Sequence, residues 1–399
     1  MKFLFLVADG MGDWPLAALD GQTPLEAAPT PNMDELARTG VVGRCRTVPE
    51  GLPPGSDVAN MSLLGFDPAV HHTGRGPIEA AAQGLTLDPD DLVWRMNLVR
   101  VSEFTPDGIM EDYSSGHITT EVSAPLVRDL EAMIGDEIFS FHPGVQYRHL
   151  LVQKGGAAED EAAIKVRPPH DITDRPIRPD MLAFSKSARL WDLVHLAAER
   201  LGVTARDCRA NAVWPWGQGR PLTLSPFDQR FGMRGMAVSA VDLIRGLGRA
   251  MSMEVPEIPG ATGLLDTNYE GKVAAALEFL DRGGEFAFVH VEAPDECGHA
   301  GNVADKVESV ARFDARIVAP LREALKGQDV AWIVTCDHYT PIAEKTHTPD
   351  PVPFLLHYPG CAASGVECFS EKTAGSSGVV LERGHELLDW ALERMRGAR

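Results

Sequence analysis

Short apolar runs that stop abruptly on an acid or an imidazole constrain this chain more than any other feature. Residues 3–8 stop at Asp9, Phe286–Val291 leads into Glu292 and Asp295, and residues 331–335 run into Asp337 and His338. Runs this short, without alternation, read as strands buried on both faces. Helical patterns lie between and beyond them. One covers 32–38, with Thr30 as its cap and Pro31 in its first turn, and one covers 57–64, ending at Gly65. Others cover 187–201, 239–251, 272–280, 303–325 with a bend near Pro320, and 384–396. A further strand is expected at 354–358. This alternation predicts an α/β fold, a mostly parallel sheet with helices on both faces. The charged residues then fall at the carboxyl edge of the sheet, where open α/β sheets collect ligands.

The pattern changes between about 94 and 166. WRMNLVRVSEF and YRHLLVQKG read as strands, with a helix at 121–134, and KVRPPHDITDRPIRPD reads as a boundary linker. With 399 residues the chain has room for two to three domains, or for one large core with an insertion. The 57 acidic residues outnumber the 37 basic ones, for a net charge of −20. Such a chain has no general field for nucleic acid or anionic lipid. An anionic substrate would have to be held by metal ions or by a few local Arg and Lys side chains. No apolar run reaches the roughly 18 residues of a membrane span. The opening MKFLFLVADGMGDW reads as a first strand, and six cysteines without CxxC spacing fit a reduced, cytoplasmic protein.

Four segments carry candidate chemistry. Asp9 ends the first strand in FLVADGMGD. Ser56 follows a glycine at a helix start in PPGSDVANMSLLGFDP, where free backbone N–H groups favour an anion. Asp295 and His299 are spaced i, i+4 in HVEAPDECGHAG, which places both on one helix face. Asp337 and His338 end a strand, and His347 follows nine residues after His338 in a Pro/Thr-rich loop. Three carboxylates, three imidazoles and one serine suffice to hold two divalent cations on the scale of two-metal phosphoryl-transfer sites. The mixed N/O donor set suits Mn²⁺ or Zn²⁺ better than Mg²⁺ at the imidazole-rich position. There is no G-x-x-x-x-G-K-[ST] loop for ATP and no G-x-S-x-G elbow.

The order of TPLEAAPTPNMDELARTG, PGSDVANMSLLGFDP with HHTGRGPIEAA, PGATGLLDTNYEGK, PDECGH and DH…THTPDPVPF carries a resemblance. The chain resembles, over nearly its whole length, the archaeal-type cofactor-independent phosphoglycerate mutases of the alkaline phosphatase superfamily. That resemblance implies Ser56 as the nucleophile that is transiently phosphorylated. It implies Asp9, Ser56, Asp337 and His338 around one metal, and Asp295, His299 and His347 around the other. No bisphosphoglycerate would be needed, and the partner would be a small phosphorylated substrate, with a homo-oligomer open. A phosphatase-like core, 1–89 with 176–399, would be interrupted by an α+β substrate-binding lid at 90–175. His117, Arg148, Lys186 and Arg189 are the candidate substrate contacts, with Arg75 and His170 open. VWPWGQGRP and SAVDL also look like a bacterial branch whose members have been proposed to be homoserine kinases. That leaves phosphoryl transfer to an amino-acid hydroxyl as the alternative, with Glu292 or Glu296 facing the ammonium group.

Overall fold

The computed structural model describes residues 1–206 and 208–397. The chain packs as two units, Met1–His72 with Thr223–Arg399, and Thr73–Leu222. In chain order the strands are β1 (Lys2–Ala8), β2 (Val41–Cys45), β3 (Leu92–Val101), β4 (Met110–Asp112), β5 (Phe139–His142) and β6 (Arg148–Gln153). They continue with β7 (Ala212–Gly219), β8 (Gly235–Val238), β9 (Phe286–Val291), β10 (Val330–Thr335), β11 (Val352–His357) and β12 (Val380–Leu381).

The first unit holds a seven-stranded sheet in the order β12-β2-β11-β10-β1-β9-β8. β1 lies at its centre, parallel to β10 on one side and β9 on the other. Residues Phe3 to Ala8 are buried, because both sheet faces are covered. β11 runs antiparallel to β10 and to β2, so β2 points the same way as β1. The carboxyl ends of β1, β2, β9 and β10 therefore share one edge.

Local differences from the expected elements have physical causes. Thr30 begins the Pro31–Thr39 helix, but its side chain caps nothing. Asp314 does so from a distance, accepting the N–H groups of Met33 at 2.7 Å and Asn32 at 3.3 Å. The long 303–325 helix is broken into Val303–Phe313 and Ala319–Ala324 by a wide π-turn over Asp314–Val318. Pro320 has no N–H to give and its ring crowds the preceding turn, so the ladder loosens before the proline rather than at it. The helix expected from 239 starts at Asp242, because the Ser239 hydroxyl accepts the Val241 N–H at 2.9 Å and turns the chain first.

The second unit is an antiparallel sheet in which β3 pairs with β4, β6 and β7, and β5 pairs with β6. Alternation along β3 sends Leu92, Trp94, Met96 and Leu98 into a large core with Val127, Leu130, Leu190 and Val194. Val93 faces the other way, towards Ala80 of the Arg75–Gln83 helix. This unit differs from the expected 90–175 insertion at both ends. β7 returns to pair with β3 in the register Leu98↔Val213, and the Arg75–Gln83 helix lies against β3. A Cβ on Gly76 would stand 2.5 Å from the Val93 carbonyl oxygen, so the approach requires glycine. KVRPPHDITDRPIRPD is not a linker either. Ile172 and Ile177 are buried, and Arg167 holds the buried Asp180 at 2.6 Å.

His149 on β6 gives this unit an acid-sensitive point. Burial pulls its imidazole down to about 3, and Nδ1 accepts the Gly144 N–H at 3.0 Å. A histidine depressed in the folded state stabilises fully above its unfolded value near 6.5 and loses that contribution as pH falls towards 3. Stability of Thr73–Leu222 should fall by up to about 1.4 kcal/mol per pH unit in that window. His149→Gln should flatten the slope, measured by denaturant melts between pH 7 and 4. An unchanged slope would remove His149 as its source.

Candidate functional site

Three of the four strand ends on the shared edge deliver side chains to one place. Asp9 follows β1, Asp337 and His338 follow β10, and the Ala293–Ala300 helix that follows β9 presents Asp295 and His299 one turn apart. Beyond β2, the Pro/Gly-rich loop leads to the Ser56–Leu63 helix, which begins on Ser56. His347 comes from the loop between β10 and β11. All seven residues lie in the first unit.

Two half-sites result. In one, Asp295 Oδ2 lies 3.2 Å from His299 Nε2 and Asp295 Oδ1 lies 3.4 Å from His347 Nε2. The two Nε2 atoms are 2.9 Å apart. His299 Nδ1 donates to the Lys345 carbonyl at 3.0 Å, and His347 Nδ1 to the Pro54 carbonyl at 3.3 Å. With Nδ1 protonated on both rings, two bare lone pairs and a carboxylate converge on one point, an arrangement that fits a divalent cation.

In the other half-site, His338 Nε2 lies 3.2 Å from Ser56 Oγ, 3.5 Å from Asp9 Oδ1 and 3.4 Å from Asp337 Oδ2. Asp9, Asp337 and His338 are fully buried, while Ser56 is partly open. Asp337 is held on both oxygens. Oδ1 accepts the N–H groups of Gly10 at 3.0 Å and His338 at 2.9 Å, and Oδ2 accepts Asn60 Nδ2 at 2.8 Å. Asn60 also donates to the Ser56 carbonyl at 2.9 Å, which ties the Ser56–Leu63 helix to this carboxylate. Thr340 joins the half-sites. Its hydroxyl donates to Asp295 Oδ1, and its oxygen lies 3.3 Å from His338 Nδ1.

Electrostatics fit a cation site. Burial, and then the charge of Asp337, push Asp9 well above the usual carboxylate range. Asp295 goes the other way: against burial, the imidazoles of His299 and His347 hold it well below. The Asp295 carboxylate raises His299 to about 9. Three buried carboxylates crowded together call for positive charge, and protons supply it where no metal does. Glu292 rises to about 7 by burial and by the charges of Glu296 and Asp295.

The structure adds residues that the sequence reading did not single out. Asn60 stands four residues beyond Ser56, so helical spacing could have flagged it. Lys306, fully buried, donates to Asp13 Oδ2 at 2.8 Å, the Thr340 carbonyl at 2.7 Å and the Gly12 carbonyl at 3.3 Å. His290 on β9 is fully buried with Nε2 3.0 Å from Asp9 Oδ2.

The four expected substrate contacts all fall in the second unit, and only two come together. His117 and Arg148 share one aromatic cluster. Tyr147 lies under Arg148 at 5.0 Å, His117 approaches Tyr113 and Tyr147, and His170 packs between Tyr113 and Trp216. Arg95 stacks on Trp216 at 4.5 Å and pairs with Glu79 at 2.9 Å. The charges of Arg75 and Arg148 reach Arg95, so Arg75 belongs to the same neighbourhood. Lys186 and Arg189 are exposed at the start of the Ala188–Thr204 helix and have no ring or ion-pair contact with this cluster among the described residues.

Fold and site together define an α/β protein with two carboxylate–imidazole half-sites around a serine at a helix start. Residues 37–202 match the family model described as 2,3-bisphosphoglycerate-independent phosphoglycerate mutase. The chain is 42% identical to a probable 2,3-bisphosphoglycerate-independent phosphoglycerate mutase of Geobacter sulfurreducens, covering 99% of this chain and 100% of that protein. It is 43% identical to the 2,3-bisphosphoglycerate-independent phosphoglycerate mutase of Methanosarcina barkeri, covering 97% and 98%. The solved cofactor-independent phosphoglycerate mutase of Thermoplasma acidophilum superposes with a TM-score of 0.67 at 26% identity, covering 99% and 100%. The chain belongs to the 2,3-bisphosphoglycerate-independent phosphoglycerate mutase family.

Proposed function

We propose that this chain interconverts 3-phosphoglycerate and 2-phosphoglycerate through a phosphoserine at Ser56. The observation that carries the reading is Ser56 Oγ at a helix start, 3.2 Å from His338 Nε2 and beside two clusters of carboxylates and imidazoles, Asp295 with His338 and His347, and Asp9 with His290 and Asp337. Asp9, Ser56, Asp337 and His338 would hold one divalent cation, and Asp295, His299 and His347 the other. Mn²⁺ suits this mixed donor set, with Zn²⁺ and Mg²⁺ as alternatives. Bound there, the cations would lower the Ser56 pKa and neutralise charge on the transferring group.

The chain's own groups do the rest. Ser56 Oγ gives up its proton and attacks phosphorus in line, a Ser–O–P bond forms, and the bond from phosphorus to the C3 oxygen of the substrate breaks. The glycerate leaves with that oxygen and takes up a proton. Its C2 hydroxyl then loses a proton and attacks the phosphoserine, a C2–O–P bond forms, the Ser–O–P bond breaks, and Ser56 Oγ takes up a proton. The free N–H groups at the start of the Ser56–Leu63 helix suit the phosphoryl oxygens. The glycerate must be retained and water kept out between the two transfers. Within the second unit, the Arg148–His117 cluster, with Arg95, Arg75 and His170, has the charge and aromatic surroundings that suit a carboxylate.

³¹P NMR on Mn²⁺-supplied protein tests this. With 3-phosphoglycerate, a 2-phosphoglycerate signal should appear and be lost in Ser56→Ala. Phosphohomoserine from ATP and homoserine, with no turnover of 3-phosphoglycerate, would replace the mutase by the kinase.

A further inference from the structure

Among the described residues at this edge, the His290 imidazole has no assigned task. It sits inside β9, fully buried, and its Nδ1 lies 3.2 Å from Ser239 Oγ. That oxygen already accepts the Val241 N–H at 2.9 Å, and a second lone pair remains for the imidazole N–H. With Nδ1–H donating to that oxygen, Nε2 is left bare. Nε2 lies 3.0 Å from Asp9 Oδ2, yet it has no hydrogen-bond partner. The approach is close, but the ring is not aimed at the oxygen as a donor would be. Two ligand atoms about 2.1 Å from a common ion and at right angles to each other stand ~3 Å apart. One donor atom each from Asp9, His290 and Asp337 falls within 4.8 Å of the other two. Asp9 is split accordingly, with Oδ1 towards His338 and Oδ2 towards His290.

We infer that His290 Nε2 is a further protein ligand of the cation held by Asp9 and Asp337, oriented by Ser239. The inference rests on the two-cation reading above and deepens it. The half-site beside Ser56 is then a two-imidazole site, and Ser239 acts on it as a positioning residue through His290.

Co²⁺-loaded protein provides the test. Each coordinated imidazole carrying an N–H gives one hyperfine-shifted exchangeable proton signal. We expect four such signals, from His290, His299, His338 and His347, with two equivalents of Co²⁺ bound. His290→Asn should remove one signal and weaken one of the two binding events by at least about 10-fold. Ser239→Ala should keep the imidazole but shift its signal. Three signals in the unaltered protein, a measurement that needs no variant to fold, would overturn the assignment while leaving the two-cation reading intact. A third equivalent of Co²⁺ lost with His290 would overturn the shared ion in favour of a separate one. Absence of stoichiometric Co²⁺ binding would overturn the inference and the metal reading together.

Discussion

Asp337→Asn should lower mutase activity by at least about 10³-fold, the scale for losing an aligned electrostatic stabiliser. On the proposed metal reading, added Mn²⁺ should raise the melting temperature of the unaltered protein and not that of this variant. Without metal, its effect should be small and of mixed sign. Removing the charge relieves Asp9, which burial and Asp337 together push up. Against that, the new amide N–H₂ would face Asn60 Nδ2, now 2.8 Å from Asp337 Oδ2, and a donor–donor contact costs about 1–3 kcal/mol. The metal-free variant should therefore melt within about 2 kcal/mol of the unaltered protein, while the ligand-linked increment, RT ln(1 + [Mn²⁺]/Kd), disappears. A variant with an intact Mn²⁺ increment would show that Asp337 holds no cation and acts only as a hydrogen-bond anchor.

Lys306→Met should cost the first unit about 3–5 kcal/mol, the range for leaving one partner of a buried ion pair unpaired. Lys306 and Asp13 are both fully buried. Asp13 also accepts the N–H groups of Trp14 at 2.8 Å and Ile342 at 3.1 Å. Lys306 binds the carbonyls of Gly12 and Thr340, so it ties the loop after β1 to the loop after β10. For a unit of this size the loss corresponds to a fall of roughly 10 °C in melting temperature. The double variant Lys306→Met, Asp13→Leu should recover part of it, because no uncompensated charge remains. Equal losses in the single and double variants would mean that the backbone contacts, not the ion pair, carry the stability.

The site was legible where local pattern and chemistry coincide. Asp9, Asp337 and His338 end apolar strands, and Asp295 with His299 has helical spacing, so each announces its position within a few residues. The loop residue His347 depends on tertiary placement, and its assignment came through family resemblance. His290 was not legible, because an imidazole inside an apolar strand looks the same whether its neighbour is a ligand or only packing. Thr340 and Lys306 act through contacts between loops distant in sequence, which no window along the chain contains. The unit limits failed for a similar reason. β7 belongs with β3 by pairing, although the prolines between 168 and 179 look like a break. Of the basic candidates, Arg148 and His117 met because β6 and the turn after β4 converge, a pairing that single-residue chemistry does not encode.

The central position of β1 bears on how the chain comes to fold during synthesis. Both of its neighbours, β9 and β10, are made after residue 285, on the far side of the whole second unit. β1 thus leaves the ribosome well before either of its partners has been made. Thr73–Leu222 is continuous and can complete its own pairing meanwhile. Until then Phe3, Leu4, Phe5 and Leu6 form an unpaired, uncharged edge of high strand propensity, the kind of segment that associates with others like it. Slow, aggregation-prone refolding of the full chain is the expected consequence, with a rate set by closure across the inserted unit rather than by any local element.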